Sequence, residues 1–200
     1  MGTRAGDARL NDGCNVSNKD VFQAWFEERN IEDVEAFVPD MAGSARGKVV
    51  PSKKFGLGQM KMPESVFAQT VSGHYVPDPD NVEDRDMLLV PDPNTLRPVP
   101  WAVDPAASVF FDCYHRDSSA VAKSPRAVLR NVLGKYEARG WIPVVAPEVE
   151  FYLLSPHSDP HEEAEPPEGR LGWTEGAKQP YSIDTMNDFD PFINDVYAFC

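Results

Sequence analysis

Cysteine is scarce in this chain. Cys14, Cys113 and Cys200 are odd in number and far apart, with no CxxC pair. That excludes a disulfide framework. Cys113 sits in an apolar stretch and reads as a small core residue. A reducing, cytoplasmic setting fits this usage. Long apolar runs are missing too: none approaches the 18 or so residues that span a bilayer, so no membrane segment is expected. Residues 1–18 are polar and contain no apolar core of a secretory signal; they read as a flexible tail. Basic runs are also absent. The net charge is −13, with Lys and Arg scattered. This argues against nonspecific nucleic-acid binding, which depends on neutralising phosphates.

What remains is a chain of 200 residues, 42% apolar, enough for one large domain or two small ones. Lys19–Arg29 reads as a helix with Asn18 as N-cap and a core stripe of Val21, Phe22, Trp25 and Phe26. Alternation at Val34, Ala36 and Val38, then Asp40–Gly43, then Ala45–Val50, reads as a hairpin. Arg46 and Lys48 share a face of its second strand, either solvated or near an anion. Residues 52–62 read as a loop, Glu64–Gln69 as a helical turn and 78–86 as an acidic loop. Met87–Val90, Leu96–Trp101 and Ser108–Tyr114 read as strands, with a turn at Pro91-Asp92-Pro93-Asn94. One helix and several short strands predict a compact α+β domain up to about residue 115.

The pattern then changes. Ser124-Pro125 opens a helix whose buried stripe is Val128, Leu129, Val132, Leu133 and Tyr136, and Gly140 ends it. Residues 155–180 carry no periodicity, and acids and prolines crowd 159–168, which predicts a mobile loop. His157 and His161 flank it and read as solvated. After Asp190-Pro191, the positions Phe192, Ile193, Val196, Tyr197 and Cys200 form another helical stripe. That stripe is still in register at the last residue, which predicts a longer polypeptide.

The most informative segment is the apolar run Trp141–Leu154, which reads as a buried strand. Within it, Glu148 and Glu150 lie two apart. In a strand they would share one face, roughly 6 to 7 Å apart. Paired acids on a buried strand need a cationic partner. A divalent ion with a taste for hard oxygen ligands, magnesium or manganese, would serve. The other reading is an exposed strand face carrying two acids.

With these pieces in order, the chain resembles the glutamine synthetase family over residues 18–200. The resemblance rests on Pro147-Glu148-Val149-Glu150-Phe151, on Asp86-Met87-Leu88-Leu89-Val90-Pro91-Asp92, on Ala45–Pro51 and on Arg116-Asp117. The stretches Met62–Phe67 and Pro180–Asp184 are similar to the γ-glutamyl-polyamine synthetase branch. The resemblance implies an α+β protein: a β-grasp domain at 18–115, then the start of a glutamine-synthetase-type catalytic domain at 116–200, after a tail at 1–17. It implies an ATP-dependent ligase that phosphorylates the γ-carboxylate of glutamate and lets an amine displace the phosphate. It implies Mg2+ or Mn2+, with Glu148 on the metal beside ATP and Glu150 on the metal beside glutamate. It also implies a homo-oligomeric ring with sites between subunits.

Two departures stand out. The ammonia-using enzymes carry an acid in the stretch matching Phe67-Ala68-Gln69-Thr70-Val71, and here there is none; a polyamine or other primary amine is favoured. Asp86 matches a second acid near the amine entrance and is the catalytic candidate on that side, its other reading being a surface acid at a strand start. The family's remaining ligands, its ATP-binding histidine motif and its glutamate-gripping arginines would lie beyond residue 200. The alternatives are an ordinary glutamine synthetase using ammonia and a noncatalytic fragment that only builds oligomer interfaces.

Overall fold

A computed structural model describes residues 16–77, 83–156, 159, 161–174 and 180–199. The chain divides into two compact units, Met1–Pro143 and Val144–Cys200.

The first unit is built on a mixed sheet. Helix α1 (Val16–Glu28) leads into β1 (Asp33–Pro39), which pairs antiparallel with β2 (Ala45–Pro51). β3 (Met60–Pro63) and β4 (Asp86–Pro91) follow, then the two-residue β5 (Arg97–Pro98) and the long β6 (Ala106–Tyr114). The sheet order is β2-β1-β6-β4-β3, with β5 paired to β6. The central pair, β1 and β6, is parallel, with Asp33 opposite Ala106 and Phe37 opposite Phe110; the other pairings are antiparallel.

Period-two alternation decides which face is core. In β1 the buried positions are Val34, Ala36 and Val38; in β6 they are Ala107, Val109, Phe111 and Cys113; in β4, Met87 and Leu89. α1 lays Phe22 and Phe26 on this face, and Phe55 fills the space between helix and sheet. The ring of Phe55 lies 5.0 Å from that of Phe22, 5.4 Å from Phe26 and 6.0 Å from Phe111. Val21 on the same helix is exposed, so the stripe expected for α1 is narrower than four residues.

The hairpin turn is fixed by Asp40, which is 5% exposed. Its carboxylate accepts hydrogen bonds from the Ala42 amide (2.9 Å), the Ser44 amide (2.8 Å) and Arg46 Nε (2.7 Å). Burial opposes ionisation of Asp40, but these donors outweigh it and hold its carboxyl below the ordinary value. Arg46 therefore meets an anion within its own turn.

Helix α2 (Pro125–Glu137) starts after Ser124 and ends where Gly140 adopts a φ of +68°; the Trp141 amide bonds back to the Tyr136 carbonyl at 3.0 Å. Charge ties the helix to the sheet. Arg126 donates to Asp92 (2.6 Å) and Asp112 (2.8 Å), and Arg130 donates to the same two acids (3.1 and 2.5 Å). The Arg126 guanidinium also lies 5.4 Å from the Phe110 ring.

Several expectations are corrected. The α2 stripe is exposed: Val128, Leu129, Val132, Leu133 and Tyr136 all remain open to solvent, because no other element of the first unit packs on that side. Residues 141–154 form no strand and are largely exposed. A strand needs a neighbour for its backbone groups, and among the described residues none pairs with this segment. Residues 52–62, read as a loop, contain a 3-10 turn at Ser52–Lys54 and strand β3. The strand expected at 96–101 shrinks to β5, since Pro98 and Pro100 each lack an amide donor.

In the second unit, α3 (Ile183–Asp188) is a short helix the sequence reading missed, capped by Ser182 Oγ accepting the Thr185 amide at 3.2 Å. α4 (Asp190–Phe199) follows, and Phe192 meets Phe151 at 5.8 Å. Gly169 is buried, and a Cβ there would meet the Asp188 carboxylate at 1.7 Å. His161 is exposed; His157, Cys14 and Cys200 lie outside the described residues.

Candidate functional site

Asp86 opens β4 and is exposed. It lies on the wall of an open pocket of about 680 Å³ in the first unit. One side of the pocket is Glu83–Asp86, the other His115–Asp117. The sheet brings these two segments together: β4 and β6 pair antiparallel, with Leu88 opposite Tyr114. The start of β4 and the end of β6 therefore meet at one edge.

The pocket walls are set by local chemistry. Asp84, at a φ of +46°, accepts hydrogen bonds from the Ser65 amide (3.1 Å) and hydroxyl (3.0 Å). Asp117 accepts from the Ser119 amide (3.0 Å) and hydroxyl (2.6 Å) in a tight turn with Ser118 at a φ of +69°. Those Ser119 bonds hold the Asp117 carboxyl below its ordinary value. The walls carry four carboxylates against two guanidiniums and one imidazole, so a cation entering meets net negative charge.

Behind this wall lies Glu64, which the sequence reading did not single out. It follows β3 in a 3-10 turn and is 8% exposed. Its amide donates to the Arg85 carbonyl at 3.0 Å. Its Oε2 lies 3.7 Å from His115 Nδ1. The signal that points to Glu64 is the β3–β4 register, which sets Pro63 opposite Asp86. Sequence alone does not show that register, because β3 is hidden in a Gly- and Lys-rich stretch. Across Phe67–Val71, Phe67 is buried, Ala68 and Gln69 are half-buried, and no side chain is charged.

Glu148 and Glu150 lie in the second unit, on the unpaired segment, and both are exposed. Their chemistry suits a hard divalent cation. Among the described residues no three His, Cys, Asp or Glu side chains converge as a complete metal site, so these two would be a partial set of ligands. Asp86 and the two glutamates fall in different units of the chain.

Among the described residues no helix is long and apolar enough to cross a membrane. Residues 122–200 match the glutamine synthetase catalytic domain. Glu148 and Glu150 fall inside that match; Glu64, Asp86 and His115 fall before it. Over 176 residues the chain is 31% identical to gamma-glutamylputrescine synthetase PuuA of Escherichia coli (strain K12), covering 84% of this chain and 37% of that protein. Over 142 residues it is 32% identical to a glutamate–isopropylamine ligase of a Pseudomonas species, covering 66% of this chain and 30% of the relative. It is also 29% identical over 129 residues to glutamine synthetase of Pyrococcus woesei, covering 64% of this chain and 27% of that enzyme. The chain thus spans about a third of the length of these curated relatives.

Proposed function

This chain is a member of the glutamine synthetase family, and from that premise we propose that it is the N-terminal portion of an ATP-dependent ligase joining the γ-carboxylate of glutamate to a primary amine. The observation that carries the reading is the 176-residue similarity to a γ-glutamylputrescine synthetase, with the isopropylamine ligase beside it. In this reading residues 18–115 are the β-grasp domain, 116–200 begin the catalytic domain and 1–17 are a tail. The exposed α2 stripe and the unpaired 141–154 segment support a catalytic domain completed by further strands and helices. The protein is cytoplasmic and works as a homo-oligomeric ring with sites between subunits.

The chemistry runs in two steps. A γ-carboxylate oxygen of glutamate takes the terminal phosphoryl group of ATP, releasing ADP. The amine nitrogen then attacks the acyl carbon, a C–N bond forms, and the C–O bond to phosphate breaks. Glu148 and Glu150 would hold Mg2+ or Mn2+, which neutralises phosphate charge when bound. Asp86 sits on the amine side. With its net negative wall, the pocket beside it attracts a cationic acceptor. The uncharged Phe67–Val71 stretch favours an alkylamine over ammonia.

The test is isotopic. Glutamate carrying ¹⁸O in its γ-carboxylate is turned over with ATP and putrescine by the complete ligase. One ¹⁸O should appear in the released phosphate. Unlabelled phosphate alongside amide product would refute the acyl-phosphate route.

A further inference from the structure

We propose that His115 and Glu64 form a dyad in which His115 takes the proton from the acceptor ammonium and Glu64 acts as its positioning residue. The inference rests on the ligase reading above and assigns a step that the reading leaves open. An alkylamine at neutral pH is an ammonium ion, without a lone pair for attack. A proton must leave its nitrogen before the C–N bond forms.

Three observations point to His115. Its ring is a wall of the pocket that holds Asp86, with its side chain 35% exposed. Its Nδ1 faces Oε2 of Glu64, a carboxylate that is nine-tenths buried, at 3.7 Å. Among the described residues, His115 is the one basic side chain within ion-pair distance of Glu64. A carboxylate behind Nδ1 favours the tautomer with hydrogen on Nδ1, which leaves the Nε2 lone pair as the proton acceptor. A separation of 3.7 Å is longer than a hydrogen bond, and such contacts commonly tighten when substrate binds.

The turn holds the ring in place. The His115 amide donates to the Ser119 carbonyl at 2.8 Å, and the Ser118 amide donates to the His115 carbonyl at 3.0 Å. The other charged groups around the ring are Asp117 on its own turn and Glu83, Asp84, Arg85, Asp86 and Arg116 on the pocket wall. Asp84 and Asp117 are engaged by Ser65 and Ser119, whereas Asp86 is exposed and available to an entering ammonium. The step balances: the ammonium N–H bond breaks, its electron pair stays on nitrogen, and the proton passes to Nε2. The neutral amine then attacks the acyl carbon and expels phosphate, and the second proton that nitrogen loses as the amide forms leaves on the departing phosphate.

The test has two arms. In the 200-residue chain, long-range ¹⁵N NMR of His115 should show the Nδ1–H tautomer, and Glu64→Gln should change the Nδ1:Nε2 balance. A dominant Nε2–H tautomer that ignores Glu64→Gln would overturn the dyad. In the complete ligase, His115→Gln should lower kcat with putrescine by about 100-fold, in the range of a lost general base. Glu64→Gln should lower it by about 10-fold or more, and Glu64→Asp should restore part of the loss. Hydroxylamine, which is unprotonated at neutral pH, supplies the control. Both variants should keep near-wild-type hydroxamate formation. An equal loss with hydroxylamine would reduce the pair to a structural contact and overturn the proposal. A wild-type ligase that makes no amide from any acceptor would instead overturn the underlying ligase reading, while the NMR arm still judges the pair.

Discussion

Arg126→Met should loosen α2 from the sheet. The apolar stripe of the helix faces solvent, so its attachment rests heavily on Arg126 and Arg130 reaching Asp92 and Asp112. Arg126 is the better buried of the two, with its side chain 18% exposed against 53% for Arg130. The substitution removes two charge-assisted hydrogen bonds at 2.6 and 2.8 Å and the contact with the Phe110 ring. Each such bond contributes about 1.5–3 kcal/mol. Arg130 still donates to both acids and offsets part of their charge, so about 2 kcal/mol is the expected net loss. For a unit of this size that is about 8 °C in Tm.

The effect should depend on pH. Burial disfavours the Asp92 carboxylate, but hydrogen bonds from Asn94 and Arg126 outweigh it and hold its carboxyl below the ordinary value. Its stabilisation is therefore present above the unfolded carboxylate value of about 4 and is lost as pH falls through the lower, folded value. The Tm gap between wild type and variant should be full at pH 7 and close in strong acid. Far-UV circular dichroism melts across that range supply the measurement. A variant with wild-type Tm at pH 7, or a gap that does not shrink in acid, would refute the reasoning.

Other outcomes follow from single positions. Cys113 is buried, and desolvation is the largest cause of a thiol pushed up to about 12, so a thiol reagent at pH 7.5 should label it only after denaturant unfolds the chain. Gly47→Val should lower the urea midpoint by the equivalent of about 2 kcal/mol or more, because its Cβ would meet the Ala36 carbonyl oxygen at 2.0 Å. Leu129→Ser with Leu133→Ser should leave the Tm of the 200-residue chain within the equivalent of about 0.5 kcal/mol, since both side chains are exposed, and should reduce binding of an apolar dye. In the complete ligase, Glu150→Ala should abolish amide synthesis while the fold survives; near-wild-type turnover would remove Glu150 from the metal.

Local patterning was legible where the partner of each element lies in the same unit. Alternation at Val34, Ala36 and Val38 predicted β1, and the Asp40–Gly43 turn predicted its hairpin, because side chain and backbone there answer to near neighbours. β3 was hidden because Met60–Pro63 is short and follows a Gly-rich stretch; its strand character comes from pairing with β4. The same dependence on context runs the other way at 141–154. That run has the composition of a buried strand, yet composition cannot supply a neighbouring strand, and the segment stays unpaired. Asp86 was legible as a motif residue. Glu64 and His115 were not, because 51 residues separate them and it takes both the β3–β4 and the β4–β6 pairings to bring their chain segments together.

The central claim is that the complete protein couples glutamate to an alkylamine. The most direct measurement is kcat/KM for phosphate release with glutamate, ATP and a panel of putrescine, spermidine, ethanolamine, isopropylamine and ammonia, with each product mass identified. The account predicts a γ-glutamyl amide of an alkylamine as the best product, with ammonia a poorer acceptor. Ammonia as the best acceptor would contradict it and make the protein a glutamine synthetase.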